Sequence, residues 1–179
     1  TEPPKPTETK APRFADVGYR DWCYPYIEKM ADKGVIAGED GQFYPNRAVT
    51  RAEFIKMLCG IFEIAAERGG DMPFADVPAD QWYAPYIGAA ARLGLAEGAD
   101  GKFDPDAPIR REDAAALMLR FTKYAGMELT QSQGGYTDES EIAPYAKEAV
   151  LALSGAGVIG GFEDQSFRPG ITATRAEAA

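Results

Sequence analysis

Histidine is missing altogether from this 179-residue chain. Its absence removes the side chain that most often moves protons near neutral pH and most often binds metals. Every serine–histidine or cysteine–histidine nucleophile goes with it. Cysteine is nearly as scarce. Cys23 and Cys59 are too few for a disulfide framework and lack the spacing of zinc ligands. Either they pair, if the chain is exported, or both serve as small buried hydrophobes. Basic residues are outnumbered, 19 Lys and Arg against 28 Asp and Glu, for a formal net charge of -9. Such a chain repels phosphate backbones at long range, so nucleic acid is not expected as a partner. No apolar run reaches the length of a membrane span, and no signal peptide is present, so membrane insertion is not expected and the sequence reads as a mature fragment.

What is present is self-similarity, with a period of about 60 residues. Phe14-Ala15-Asp16 returns as Phe74-Ala75-Asp76 and, more loosely, as Tyr136-Thr137-Asp138. Trp22 returns as Trp82, and Tyr145 takes that place in the third copy after a one-residue insertion. Gly34-Val35-Ile36-Ala37-Gly38 becomes Gly94-Leu95-Ala96-Glu97-Gly98 and then Gly157-Val158-Ile159-Gly160-Gly161. Phe43 and Pro45 return as Phe103 and Pro105, then as Phe167 and Pro169. Thr50-Arg51-Ala52-Glu53 returns as Arg110-Arg111-Glu112-Asp113 and as Thr174-Arg175-Ala176-Glu177. The copies occupy residues 14–70, 71–135 and 136–179, after a proline-rich segment at 1–13 whose composition suits an extended linker to a larger protein. A second polar stretch, residues 130–135, joins the second copy to the third.

Each copy predicts a helix, a turn, an extended loop and a second helix. The first helix should run from about Trp22 to Lys33 and stop at Gly34, with Trp22, Tyr26, Ile27 and Met30 as its apolar stripe. The second should start at Thr50, because Thr-x-x-Glu before an apolar run is the capping-box pattern. Phe54, Met57, Leu58, Ile61 and Phe62 then follow at helical spacing. One such pair leaves its apolar face in water, so the expected fold is mainly α: three helix-loop-helix repeats packed as one pseudo-threefold bundle with three prongs. The third copy reaches Ala179 only a few residues into its second helix, which is expected to be truncated.

In order and spacing these landmarks resemble the S-layer homology repeat, over residues 14–179. The resemblance implies a non-catalytic module, without cofactor or metal, that anchors a larger exported protein to the bacterial cell wall outside the cell. Its implied partner is secondary cell-wall polysaccharide, often pyruvylated N-acetylmannosamine, bound in grooves between repeats. The arginine of the Thr-Arg-Ala-Glu motif contributes to binding in that family, which carries over to Arg51, Arg111 and Arg175. The chemistry fits: a pyruvyl carboxylate suits the guanidinium fork, and a helix N-terminus favours an anion. The alternative is that each arginine pairs with an acidic residue of a neighbouring repeat. Trp22, Trp82 and Tyr145 either stack on sugar faces in a groove or belong to the core. Asp16, Asp76 and Asp138 either hydrogen-bond sugar hydroxyls or act as turn and cap acceptors.

The second copy departs from the pattern. Arg110 replaces the capping threonine and Glu112 the alanine, so that copy loses a hydroxyl and gains a cation beside Arg111. One or two competent grooves are therefore expected rather than three. Two other classes compete. A calcium module is suggested by Asp100, Asp104 and Asp106, with Glu39 and Asp40 in the matching loop, although the spacing does not fit an EF-hand. A glycoside hydrolase needs two carboxyls across a cleft, whereas the recurrent acids here fall at caps and turns in three near-equivalent places.

Overall fold

The computed structural model describes residues 11–130 and 134–179. Most of the linker read at 1–13, and the middle of the joining stretch, lie outside the described residues. The chain is mainly α-helical: α1 (Tyr24–Asp32), α2 (Arg51–Ile61), α3 (Ala84–Arg92), α4 (Arg111–Tyr124), α5 (Pro144–Gly155) and α6 (Arg175–Ala178), with one 3₁₀ turn at Glu139–Glu141. None of the described helices is long and apolar enough to cross a membrane.

The expected helix starts hold at the second helix of copies one and three. Thr50 and Thr174 each close a capping box, the side chain accepting from the amide three residues on while Glu53 or Glu177 accepts from the cap amide. Arg110 makes no such side-chain cap. Its guanidinium lies against Asp113 and Glu112 instead. Glu112 is buried, and its other oxygen accepts from the Ala143 amide at 3.0 Å, at the start of α5. The two departures of copy two are thus coupled: Glu112 serves the third copy's first helix, which has no side-chain cap of its own.

The first-helix stripe holds at Ile27 and Met30 and is corrected at Trp22 and Tyr26. α1 begins at Tyr24, and its inward row is Cys23, Ile27 and Ala31, while Trp22 and Tyr26 face outward. The two rows share the i, i+4, i+8 spacing, so periodicity alone does not choose between them. Both cysteines are free and buried. Burial pushes the Cys59 thiol up to about 12, so it stays protonated in this setting.

Helix packing joins copies: α2 lies on α3, α4 lies on α5, and α2 also meets α4. One apolar cluster unites copies one and two with Ala173 and Ala176 of copy three, and a second fills the space between α4 and α5 around Leu119, Val150, Leu153 and Phe167. Met118 packs against both.

Backbone bonds between the loops are more ordered still. The Val49 amide donates to the Ala173 carbonyl, Ala173 to Ile109, and Ile109 to Val49, each at 3.0 Å, so the three copies close a ring. Next to this ring, the first two amides of each second helix donate to the loop of another copy. Arg51 and Ala52 bond Ala107 and Pro105, Arg111 and Glu112 bond Ile171 and Pro169, and Arg175 and Ala176 bond Arg47 and Pro45. These amides have no partner within their own helix, so each copy completes the helix start of another.

Candidate ligand grooves

The loop before each second helix carries the motif glycine and phenylalanine. In copies one and two it opens with a two-residue hairpin turn, Asp40-Gly41 and Asp100-Gly101, both residues in the left-handed region as such turns require. The preceding glycine is dictated by contact: a Cβ on Gly38 would lie 2.4 Å from the Gln42 carbonyl oxygen, and one on Gly98 only 2.0 Å from that of Lys102. After the phenylalanine the chain again turns left-handed, at Tyr44, Asp104 and Arg168. Here the aspartates act. Asp16 accepts from the Phe43 and Tyr44 amides, Asp76 from Phe103 and Asp104, and Asp138 from Phe167 and Arg168, at 2.7 to 2.8 Å. Desolvation raises the Asp76 pKa, but the two amide donors outweigh it and hold the carboxyl below its ordinary value. Asp16 and Asp76 therefore fix the loop from beneath, with both oxygens engaged.

The motif arginines form a second repeated connection. Arg51 Nε donates to the Phe103 carbonyl at 2.8 Å, Arg111 Nε to Phe167 at 3.0 Å and Arg175 Nε to Phe43 at 2.9 Å. Each guanidinium also lies over that phenylalanine ring, at 4.7, 4.7 and 4.5 Å from the centroid. Nη2 reaches a second carbonyl: Glu97 at 3.4 Å, Gly160 at 2.7 Å and Ala37 at 3.0 Å. Nη1 faces an acid at the start of a second helix, Asp113 at 4.0 Å, Glu177 at 3.7 Å and Glu53 at 2.9 Å. The side chains are 17%, 14% and 9% exposed in the same order. Burial lowers the pKa of Arg111 and Arg175, opposed by Glu177 and Glu53 respectively.

One sequence expectation changes here. The helix N-termini beside the arginines are not open for an anion, because their first amides already serve the loop of another copy. Each motif arginine has instead the acidic neighbour from another copy that the alternative reading expects: Asp113 for Arg51, Glu177 for Arg111 and Glu53 for Arg175.

Two grooves open above the arginines. The larger, about 570 Å³, is lined by Arg51, Phe103, Arg110, Asp113, Arg120 and Tyr145 among others. The smaller, about 190 Å³, is lined by Arg175, Ile36, Glu53, Lys56, Met57 and Trp82 among others. They are equivalent places: each combines a motif arginine, the wall of a second helix and the aromatic that precedes or opens a first helix. Trp82 is 50% exposed with the Lys56 ammonium 5.8 Å from its ring, while the Tyr145 hydroxyl donates to Asp113 and accepts from Arg110. Trp22 is 64% exposed and lines neither groove. Among the described residues no group of three or more Asp, Glu or Cys gathers to hold a metal ion.

Lys56, Glu97 and Arg120 also line the grooves and were not singled out from sequence. A signal was available: Asp113, Ala116, Leu117 and Arg120 lie at i, i+3, i+4 and i+7, one row of α4 facing the larger groove.

Comparison with known proteins agrees with this architecture. The profile of the S-layer homology domain matches residues 13–55, 73–115 and 135–179, and the chain belongs to that family. It is 30% identical to an S-layer protein of Bacillus thuringiensis subsp. finitimus over 97% of the chain and 21% of that protein. An amylopullulanase of Thermoanaerobacterium thermosulfurigenes is 32% identical over 89% of the chain but only 9% of its own length. An endoglucanase of Bacillus sp. strain KSM-635 is 34% identical over 93% of the chain and 18% of its length. The chain thus spans no more than about a fifth of these relatives.

Proposed function

We propose that this chain is a non-catalytic anchor that holds a larger surface protein on the bacterial cell wall by binding secondary cell-wall polysaccharide in the grooves between its repeats. The observation that carries the reading is the pairing, in two equivalent grooves, of a motif arginine with an exposed aromatic. An anionic sugar substituent such as a pyruvyl carboxylate meets the guanidinium edge, and a sugar face meets the ring. An S-layer protein and two proteins named as enzymes share this portion, which is no more than about a fifth of each. That distribution supports an attachment role outside the cell, separable from any catalysis in the remainder.

This reading divides the chain into repeats at residues 14–70, 71–135 and 136–179, after a linker at 1–13. The closed ring of loop hydrogen bonds supports a pseudo-threefold bundle with three prongs. Arg51, Arg175 and Trp82 are the residues assigned to ligand in the described grooves. Arg111 and Trp22 are assigned to the remaining inter-repeat position, and Asp16 and Asp76 to holding the loops that shape the grooves. The test is co-sedimentation with purified cell walls before and after chemical removal of the polymer. Binding should be lost with the polymer; equal retention on stripped peptidoglycan would refute the polysaccharide reading.

A further inference from the structure

The two grooves are equivalent in plan but differ in where their further cations stand. In the larger one, two guanidinium groups converge on a single residue. Arg51 Nη2 reaches the Glu97 backbone carbonyl at 3.4 Å, and Arg120 Nη2 reaches the Glu97 carboxylate at 2.5 Å. Arg120 projects from α4 one turn beyond Leu117, on the row that lines the groove. The corresponding residues of copy one are Ala37 and Gly60, which carry no charge, and the second cation of the smaller groove is Lys56, at the position of Ala116. The carboxylate holding Arg120 is itself 63% exposed, and an ion pair so open to water is weak and readily exchanged. Arg110, the other arginine at this groove, is already flanked by Asp113 and Glu112 and hydrogen-bonded to Tyr145. Arg120 is thus held at the groove by one exposed carboxylate alone.

The geometry points to a two-anion clamp in the Arg51 groove, in which Arg51 and Arg120 grip two anionic groups of one glycan segment and Glu97 occupies the second position until ligand displaces it. The inference rests on the anchoring function proposed above and adds the ligand class: a segment carrying a second carboxylate or phosphate next to the first anionic sugar. Arg120 is then a specificity-determining residue. Glu97 is its internal substitute anion. Copy one has no equivalent of either, so the two grooves read different stretches of polymer.

The experiment is calorimetric titration of the full chain with two synthetic probes, a disaccharide bearing one pyruvyl ketal and the same disaccharide with an added phosphate monoester. The phosphate should tighten binding to the parent by about fivefold, the upper range for a solvent-exposed ion pair. Arg120→Ala, a change that favours helix, should bring the two probes to within about twofold of each other, removing that gain. Glu97→Gln should tighten the doubly charged probe more than the singly charged one, since the charge competing for Arg120 is gone. If Arg120→Ala keeps the phosphate gain, or if Lys56→Ala abolishes it in place of Arg120→Ala, the clamp is refuted while the anchoring function stands. If the parent binds neither probe nor cell walls, the anchoring function fails and the clamp falls with it.

Discussion

Replacing Arg175 by alanine tests whether the motif arginines hold the repeats together as well as meeting ligand. Arg175 is the most enclosed of the three and links α6 to copy one through carbonyls at 2.9 and 3.0 Å and the Glu53 carboxylate at 2.9 Å. Hydrogen bonds to a charged group contribute about 1.5–3 kcal/mol each, but three on one side chain are not additive and the buried guanidinium also costs desolvation. Truncating one partner of such a buried set costs about 3 kcal/mol, the low end of the observed range, because Glu53 keeps Arg47 as a partner. Arg51 has one short carbonyl bond, a second at 3.4 Å and an acid only at 4.0 Å, which argues for about 1.5 kcal/mol. For a chain of this size the melting temperature should fall by about 6–12 °C in Arg175→Ala and by about half that in Arg51→Ala. Arg175→Lys should recover little, since one ammonium cannot reach two carbonyls and a carboxylate at once. Thermal and urea unfolding followed by circular dichroism measure this directly. Arg175→Ala within about 0.5 kcal/mol of the parent, or less damaging than Arg51→Ala, would refute the argument.

Gly98→Ala should destabilise by about 1–3 kcal/mol and weaken wall binding, because its Cβ would collide with the Lys102 carbonyl and Phe74 ring at the rim of the larger groove. Gly160→Ala, where a Cβ meets nothing within 4 Å, is the control and should unfold like the parent in urea. Thr50→Ala removes the hydroxyl that accepts from the Glu53 amide and should cost about 1 kcal/mol while leaving affinity for cell walls nearly unchanged. A large affinity loss at intact stability would instead make Thr50 a ligand contact.

The helix starts at Thr50 and Thr174 were legible because a capping box is local: both partners lie within four residues. The stop at Gly34 was legible for the same reason, and the structure puts that residue in the left-handed region after α1. The rotation of α1 was not, since the rows of Cys23 and Trp22 have identical spacing and only contact with other copies selects one. Repetition marked the arginines as a set, but it did not reveal their partners. Phe43 lies 132 residues from Arg175, and its backbone carbonyl has no signature in sequence. The pairing of Arg110 with Glu112 was legible from their closeness in sequence, and the structure shows it. The second role of Glu112 was not: it acts on Ala143, in the next copy, where a one-residue insertion had shifted the helix start.

The ring formed by Val49, Ile109 and Ala173 sets how such a chain grows. In an open stack of repeats each end presents an unmatched surface, and units are gained or lost singly. Here the third copy donates to the second and accepts from the first, so each amide in the ring is satisfied by one of the other two members. A fourth copy finds no vacancy in it, and loss of one leaves a donor and an acceptor facing the gap. The triplet, not the single repeat, is therefore the smallest unit in which every donor and acceptor of the ring is satisfied.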